Sequence, residues 1–309
     1  MGSVAYVFPG QGSQYVGMAK DLYDGDERAR TMIDRADAIL GVSLGDICFT
    51  GPEETLKQTK NTQPAIFLHS VVAYSLLPDP RPDMVAGHSL GEYSAIVAAG
   101  ALAWEDALKI VRLRGELMQQ AGEQHHGTMA AVVGLSPQAV EDLCREASAT
   151  GVVQPANFNS PGQIVISGSV TGVHKGMELA KARGAKMVRE LVVSGAFHSP
   201  LMESAREGLM RALQTTPIKD ARIPVYANVT AEPVTSADEI RDLLVRQLTS
   251  PVCWEQSVRN MVRDGARAMV EVGPGKVLQG LAKRTEAALS TSGIDTKTDI
   301  QQHHRSHDN

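Results

Sequence analysis

The chain has 309 residues, 43% of them hydrophobic and 28 of them glycine, which is enough to bury one large core with a smaller unit inserted or appended. A formal net charge of -5 without any stripe of Lys or Arg excludes nucleic acid and anionic membrane as expected partners and favours small-molecule chemistry. The three cysteines, Cys48, Cys144 and Cys253, are far apart and form no C-x-x-C or Cys/His pattern, so they read as reduced thiols of a cytoplasmic protein rather than metal ligands.

Met1 to Pro9 has no basic region and only a short apolar run, so neither a secretory signal nor a transit peptide is expected, and no stretch approaches membrane-spanning length. Within it, Val4 to Phe8 predicts a buried strand that ends in the glycine-rich turn Pro9-Gly10-Gln11-Gly12-Ser13-Gln14. A phosphate-binding role fails on the residues themselves. The dinucleotide pattern needs a third small residue where Tyr15 stands, and a P-loop needs a Gly-Lys-Ser/Thr ending.

A helix near Ala65 to Leu77, a strand at Met84 to Ala86 and a helix after Ser89 alternate α and β, the mark of a parallel sheet covered on both faces. Between that strand and the last helix lies Gly87-His88-Ser89-Leu90-Gly91, a G-x-S-x-G element. A strand that turns sharply into a helix lifts the serine oxygen clear of the sheet, and flanking glycines admit backbone where a Cβ would collide. Ser89 then stands at a helix N-terminus, where free N–H groups and the dipole favour a developing oxyanion.

The next helix, Glu105 to Gln120, places Lys109, Arg112, Glu116, Gln119 and Gln120 on one face and Ala107, Ile110, Val111, Leu117 and Met118 on the other. Arg114 falls in the middle of the apolar face, whereas Arg112 belongs to the solvated one. A guanidinium directed into a core needs an anionic partner, because it cannot shed its charge. That partner is either a structural Asp or Glu or the carboxylate of a substrate held bidentately.

From about Met129 to Val193 the pattern changes to a strand (129–133), a helix opened by Ser136-Pro137, strands at 152–157 and 163–167, a helix around 173–183 and a strand at 186–193. The order β-α-β-β-α-β predicts a ferredoxin-like unit inserted into the larger one, with seams near His125 and Ser194. Residues 223–229 and 268–272 then read as strands among helices. From about Ala287 the chain turns polar and loses periodicity, which predicts a poorly ordered tail whose histidines are not expected to hold a metal.

A serine nucleophile needs a base. His88 adjoins the serine in sequence, so its side chain should point elsewhere; His125 and His126 fall in a polar seam, and three more histidines lie in the tail. His198 is the best placed, in the Gly/Pro-bounded loop Ser194-Gly195-Ala196-Phe197-His198-Ser199-Pro200, and the alternative is an ordinary surface histidine.

Taken together, Phe8 to Gln14, the element Gly87 to Gly91 followed by Glu92, Arg114-Gly115, Asn157-Phe158-Asn159-Ser160-Pro161-Gly162-Gln163, Phe197-His198, Gln247 ahead of Pro251-Val252-Cys253-Trp254, and Glu271 to Gly275 resemble, in order, the malonyl-CoA:acyl-carrier-protein transacylase family. These are the acyltransferases of fatty-acid and polyketide synthesis, and the resemblance covers about residues 4 to 284. It implies an α/β fold with a large α/β-hydrolase-like subdomain built on a parallel sheet (residues 1–125 and 194–286), the small ferredoxin-like subdomain (126–193) and the polar tail (287–309).

The resemblance also implies roles. Ser89 would attack the thioester of malonyl-CoA, and His198 would take its proton and later deprotonate the thiol of holo acyl carrier protein. The backbone N–H groups of Gln11 and Leu90 would form the oxyanion hole, and Arg114 would bind the malonyl carboxylate. A carbonyl near Gln247 would orient the imidazole, and Gln247, Phe197 and Asn157 would join Arg114 in binding substrate. Asn157 to Gln163 would line the cleft between subdomains, although a plain strand-turn-strand explains the same residues, and Glu271 to Gly275 would be structural. Leu90 after the serine and Phe197 before the histidine match malonyl-selective members, since a Phe ring beside the acyl α-carbon crowds a branching methyl, worth ~1–3 kcal/mol. No cofactor is implied, and a monomer is the expected state. Two other readings are a serine hydrolase acting on acyl thioesters, with water as acceptor, and a carrier-docking scaffold with a dead site; Arg114 disfavours the first and the intact Ser89, His198 and Gln11 the second.

Overall fold

A computed structural model describes residues 2–307, with side chains described as far as His304. The strands β1 (Ser3–Phe8) and β2 (Met84–Gly87) are buried apolar runs, as strands covered on both faces must be, and they pair in parallel with Phe8 opposite Gly87. Between them run α1 (Lys20–Gly25), α2 (Glu27–Leu40), α3 (Leu44–Thr50), α4 (Glu53–Lys57) and α5 (Thr59–Leu76), the last buried along almost its whole length. After β2 come α6 (Gly91–Ala98) and α7 (Trp104–Gln124).

The middle of the chain forms β3 (Gly127–Val133), α8 (Pro137–Ala147), β4 (Val153–Ser160), β5 (Gln163–Ser169), α9 (Val170–Ala182) and β6 (Met187–Glu190). Ser136 caps α8 by accepting from the Ala139 amide, as the Ser-Pro pair foretells. These four strands make a separate antiparallel sheet in the order β4-β5-β3-β6. With the β-α-β-β-α-β succession, that order is the ferredoxin-like arrangement.

The chain then returns with α10 (Glu203–Thr215), β7 (Val225–Tyr226), β8 (Pro233–Val234), α11 (Ala237–Gln247), α12 (Trp254–Arg263), β9 (Ala266–Val272), α13 (Val277–Thr285), β10 (Ser290–Ile294) and α14 (Lys297–His307). The large sheet has the order β10-β9-β1-β2-β7-β8, with every pairing parallel except β7 with β8. Because β1 and β2 end level with each other, the loops that leave them start side by side at the carboxyl edge, where α/β sheets bind ligands. Among the described residues no helix is long and apolar enough to cross a membrane.

Three expectations need correction. The strand foreseen at 223–229 is only two residues long, because Asn228 leaves the ladder to bond Gly87 O and the Ser89 amide. The strand foreseen at 186–193 stops at Glu190, and Leu191 and Val193 line the cleft instead. The tail is not poorly ordered through residue 307. β10 extends the parallel sheet beside β9, Ile294 is buried, and Asp299 opens α14 by accepting from the Thr296 amide at 2.8 Å. A polar strand at a sheet edge has too little apolar alternation to be seen by pattern. His303 of this segment meets the Tyr6 hydroxyl at 3.1 Å, and no group of three or more potential metal ligands occurs among the described residues.

Candidate active site

The turn from β2 into α6 is closed by backbone contact. A Cβ on Gly87 would lie 1.9 Å from Gly91 C, and one on Gly91 would lie 2.0 Å from Phe8 O, so the two glycines of G-x-S-x-G are steric necessities. The turn forces Ser89 to φ 51°, in the left-handed region that a side chain rarely adopts. Its amide donates to Asn228 Oδ1 at 2.6 Å, and its carbonyl accepts from Gln247 Nε2 at 2.9 Å.

Opposite the serine, His198 is also at positive φ, 57°, in a loop held by Ser199, whose hydroxyl donates to Ala196 O, and by Gln154, whose Nε2 donates to His198 O at 2.9 Å. His198 Nδ1 is 2.8 Å from Gln247 O, and Nε2 is 2.8 Å from Ser89 Oγ. A carbonyl only accepts, so Nδ1 carries the proton and Nε2 is left as the acceptor for the serine hydroxyl. Burial, with the Arg114 guanidinium nearby, holds the imidazole down at about 3, so it is a neutral base at physiological pH.

Arg114, fully buried, arrives from α7. Its Nη1 donates to Gln63 Oε1 at 2.7 Å and its Nη2 to Gln247 Oε1 at 2.8 Å and Ser89 Oγ at 3.1 Å, with the Tyr93 ring 5.7 Å away. Its hydrogen-bond partners are neutral, and no carboxylate forms an ion pair with it among the described residues. Of the two partners left open by the helical wheel, a core acid in direct contact is therefore not the one found. Arg112, expected on the solvated face, is instead largely buried and bonds Glu116, Lys60 O and Asn61 at the start of α5.

Ser89, His198, Gln11, Leu90, Phe197, Arg114 and Asn157 line one cleft between the two sheets. The amides of Gln11 and Leu90 take part in no backbone hydrogen bond among the described residues, which leaves them available to an oxyanion. Gln247 lies behind that wall rather than in it, fully buried, touching the site through its carbonyl and its amide. His88 turns away from Ser89, with Nε2 2.9 Å from Asn159 Oδ1 on β4, while Asn157 and Asn159 project from a hairpin, so Asn157 to Gln163 is both strand-turn-strand and cleft wall. Glu271 caps α13 by accepting from the Leu278 and Gln279 amides.

Four further residues shape the site without having been singled out by role. Glu92 carries a weak sequence signal, a carboxylate in the Ala-rich helical stretch after the serine, and Gln63 only that it closes the polar run Lys57 to Gln63 just before the apolar part of its helix. Asn228 and Gln154 carry none, because their contacts are with residues distant in the chain.

A family model described as the acyl transferase domain matches residues 5–309. Among curated relatives, a malonyl CoA-acyl carrier protein transacylase of Bacillus subtilis (strain 168) is 43% identical over 304 residues, covering 97% of this chain and 96% of the relative. One of Staphylococcus aureus (strain MRSA252) is 41% identical over 302 residues, covering 97% and 98%. The solved acyl-carrier-protein S-malonyltransferase of Burkholderia pseudomallei 1710b superimposes with a TM-score of 0.94 at 41% identity over 98% of this chain and 99% of its own. A malonyl-transacylase solved in complex with its type II PKS acyl-carrier protein gives 0.93 at 38% identity, covering 97% and 98%.

Proposed function

Because the chain belongs to the acyl transferase family, we infer that it transfers the malonyl group of malonyl-CoA to the phosphopantetheine thiol of holo acyl carrier protein, supplying extender units for fatty-acid or polyketide synthesis. The observation that carries this reading is the meeting at Ser89 Oγ of a neutral base, His198 Nε2 at 2.8 Å, and a buried cation, Arg114 Nη2 at 3.1 Å. A malonyl group carries its carboxylate one methylene beyond the carbonyl that Ser89 attacks. A cation within a hydrogen bond of the nucleophile is where that carboxylate needs it.

In this reading Ser89 Oγ attacks the thioester carbon as its proton passes to His198 Nε2, and the imidazolium keeps its Nδ1–H bond to Gln247 O. The amides of Gln11 and Leu90 receive the oxyanion. Collapse expels the coenzyme A thiolate, which takes the proton from His198; the carrier thiol then gives its own proton to His198 as it attacks the malonyl ester. Collapse of this second intermediate breaks the Ser89 ester bond, with Ser89 Oγ taking the proton back from His198 and malonyl left on the carrier thiol. Phe197 and Leu90 crowd the acyl α-carbon and disfavour a branching methyl. Asn157 lines the route taken by the thioester arm, and Gln247 acts on substrate through Arg114. Residues 126–193 serve as an inserted lobe that forms the far wall of the cleft. The site is complete within one chain, which suits a monomer, and the charge and cysteine pattern suit a cytoplasmic enzyme that needs neither cofactor nor nucleic acid.

The hydrolase alternative differs only in the acceptor. Incubation with labelled malonyl-CoA, with and without holo acyl carrier protein, separates them: label on the carrier is the expected result, and label appearing chiefly as free malonate would overturn the transferase reading.

A further inference from the structure

Glu92, in the first turn of α6, is a buried carboxylate for which the acyl-transfer steps above have no use. Its Oε2 accepts from Gln247 Nε2 at 2.6 Å and from the Asn228 amide at 3.3 Å, and neither donor is charged. The same Gln247 side chain uses its oxygen to accept from Arg114 Nη2 at 2.8 Å. A single neutral amide thus separates a buried carboxylate from a buried guanidinium. Each charge would be strongly disfavoured alone in this interior, and across the amide they offset one another.

A substrate carboxylate docked on Arg114 would be a much closer counter-charge than Glu92. It would also add a second negative charge to a pocket poor in water, and like charges in one site oppose each other's ionisation. We propose that the malonyl carboxylate replaces Glu92 as the counter-charge of Arg114, and that Glu92 takes up one proton from solvent as the malonyl group binds. This rests on the reading that Arg114 holds the substrate carboxylate.

The neighbouring groups leave Glu92 as the site of that proton. Burial already pushes its carboxyl up to about 7, against the opposing pull of Gln247, Asn228 and Arg114. Once Arg114 is matched by substrate, that pull weakens and burial is less opposed. Tyr93, its neighbour on α6, is pushed well above the usual phenol range by burial and stays neutral. His198, reached through Gln247, starts at about 3, too low to gain a proton near neutrality, and burial also lowers His88. Uptake is therefore greatest above pH 7, where free Glu92 is ionised, and disappears at acidic pH, where it is already protonated. By linkage, malonyl affinity falls as pH rises through that window.

Calorimetry on Ser89→Ala, which binds without turnover, tests this with malonyl-N-acetylcysteamine thioester, a probe that has no phosphate to titrate. Titrations at pH 7.5 in buffers of different ionisation enthalpy report the protons taken up. The expected result is on the order of half a proton or more for the malonyl probe. The acetyl probe should give none with Glu92 intact, and adding Glu92→Gln should abolish uptake while malonyl still binds. Malonyl binding that needs Arg114 yet moves no proton, or uptake that survives Glu92→Gln, would overturn the role of Glu92 and leave that of Arg114 standing. Malonyl binding unchanged by Arg114→Ala would overturn both.

Discussion

In the proposed function, Arg114 is where a single side chain selects the acyl group. Its bonds to Gln63, Gln247 and Ser89 are all to neutral groups, so the cation is held in place but has no ion-pair partner among the described residues. Arg114→Ala should leave the protein folded, with a melting temperature lowered by only about a few degrees as Gln63 and Gln247 lose a donor and Glu92 is neutralised by a proton, and should retain or raise acetyl transfer. Malonyl transfer should fall by about a hundredfold or more, from the ~3–5 kcal/mol typical of a broken buried pair. Lysine should rescue only in part, because it lacks the planar fork. Equal loss of both acyl groups with a collapsed melting temperature would mark Arg114 as structural. The helical wheel identified this residue because a cation on an apolar face is an anomaly a single helix can display. It misplaced Arg112 because the contacts with Lys60 and Asn61 that cover it come from another helix.

His198 carries the second prediction at this scale. A base works only when unprotonated, and an ordinary histidine loses that capacity as pH falls through about 6.5. With its imidazole held at about 3, His198 should keep the kcat/KM for serine acylation from falling with the histidine profile between pH 7 and 5. An acid limb centred near 6.5 would contradict this environment. His198→Ala should lower the rate by ~10²–10⁴ with substrate binding less affected.

Among the elements, the β2–α6 turn and the β10–α14 segment make opposite cases. The turn was legible because its glycines, serine and flanking apolar runs are contiguous, and the structure adds the reason: at Gly91 there is room for no Cβ against Phe8 O. Gly91→Ala should therefore yield little soluble, folded protein, and a variant with normal melting and activity would show that the turn can yield. The C-terminal segment was illegible because its order comes from distant partners. Asp295 accepts from Tyr15 Oη at 2.9 Å, Tyr15 lying just after the Gln11 turn, and from the Gly275 amide at 3.0 Å, and His69 Nε2 is 2.8 Å from Asp295 O. Asp295→Ala should lower the melting temperature by several degrees, since bonds to a charged group contribute about 1.5–3 kcal/mol each. Circular dichroism melting checks it, and an unchanged melting curve would refute it. The short β7 failed for a related reason: Asn228 looks like any strand-end residue until Gly87 and Ser89 are seen beside it.

For the whole molecule, the two sheets were foreseeable from the order of their elements, because alternating β and α in one stretch and β-α-β-β-α-β in another leave few packings. What the order could not supply was the cleft between them, where β2, α7 and the His198 loop converge from three parts of the chain. In the proposed function that cleft serves two thioesters in turn, so coenzyme A must leave before the carrier thiol attacks. Double-reciprocal plots against malonyl-CoA at several carrier concentrations should be parallel, and intersecting lines would indicate a ternary complex instead.

The covalent intermediate on Ser89 is the point on which all of this depends. Mass spectrometry of peptides from enzyme mixed with malonyl-CoA alone should find a malonyl ester on Ser89 that disappears when holo acyl carrier protein is added, and Ser89→Ala should show neither the adduct nor transfer. Malonyl found on Cys253 or another residue, or transfer that persists in Ser89→Ala, would contradict the account.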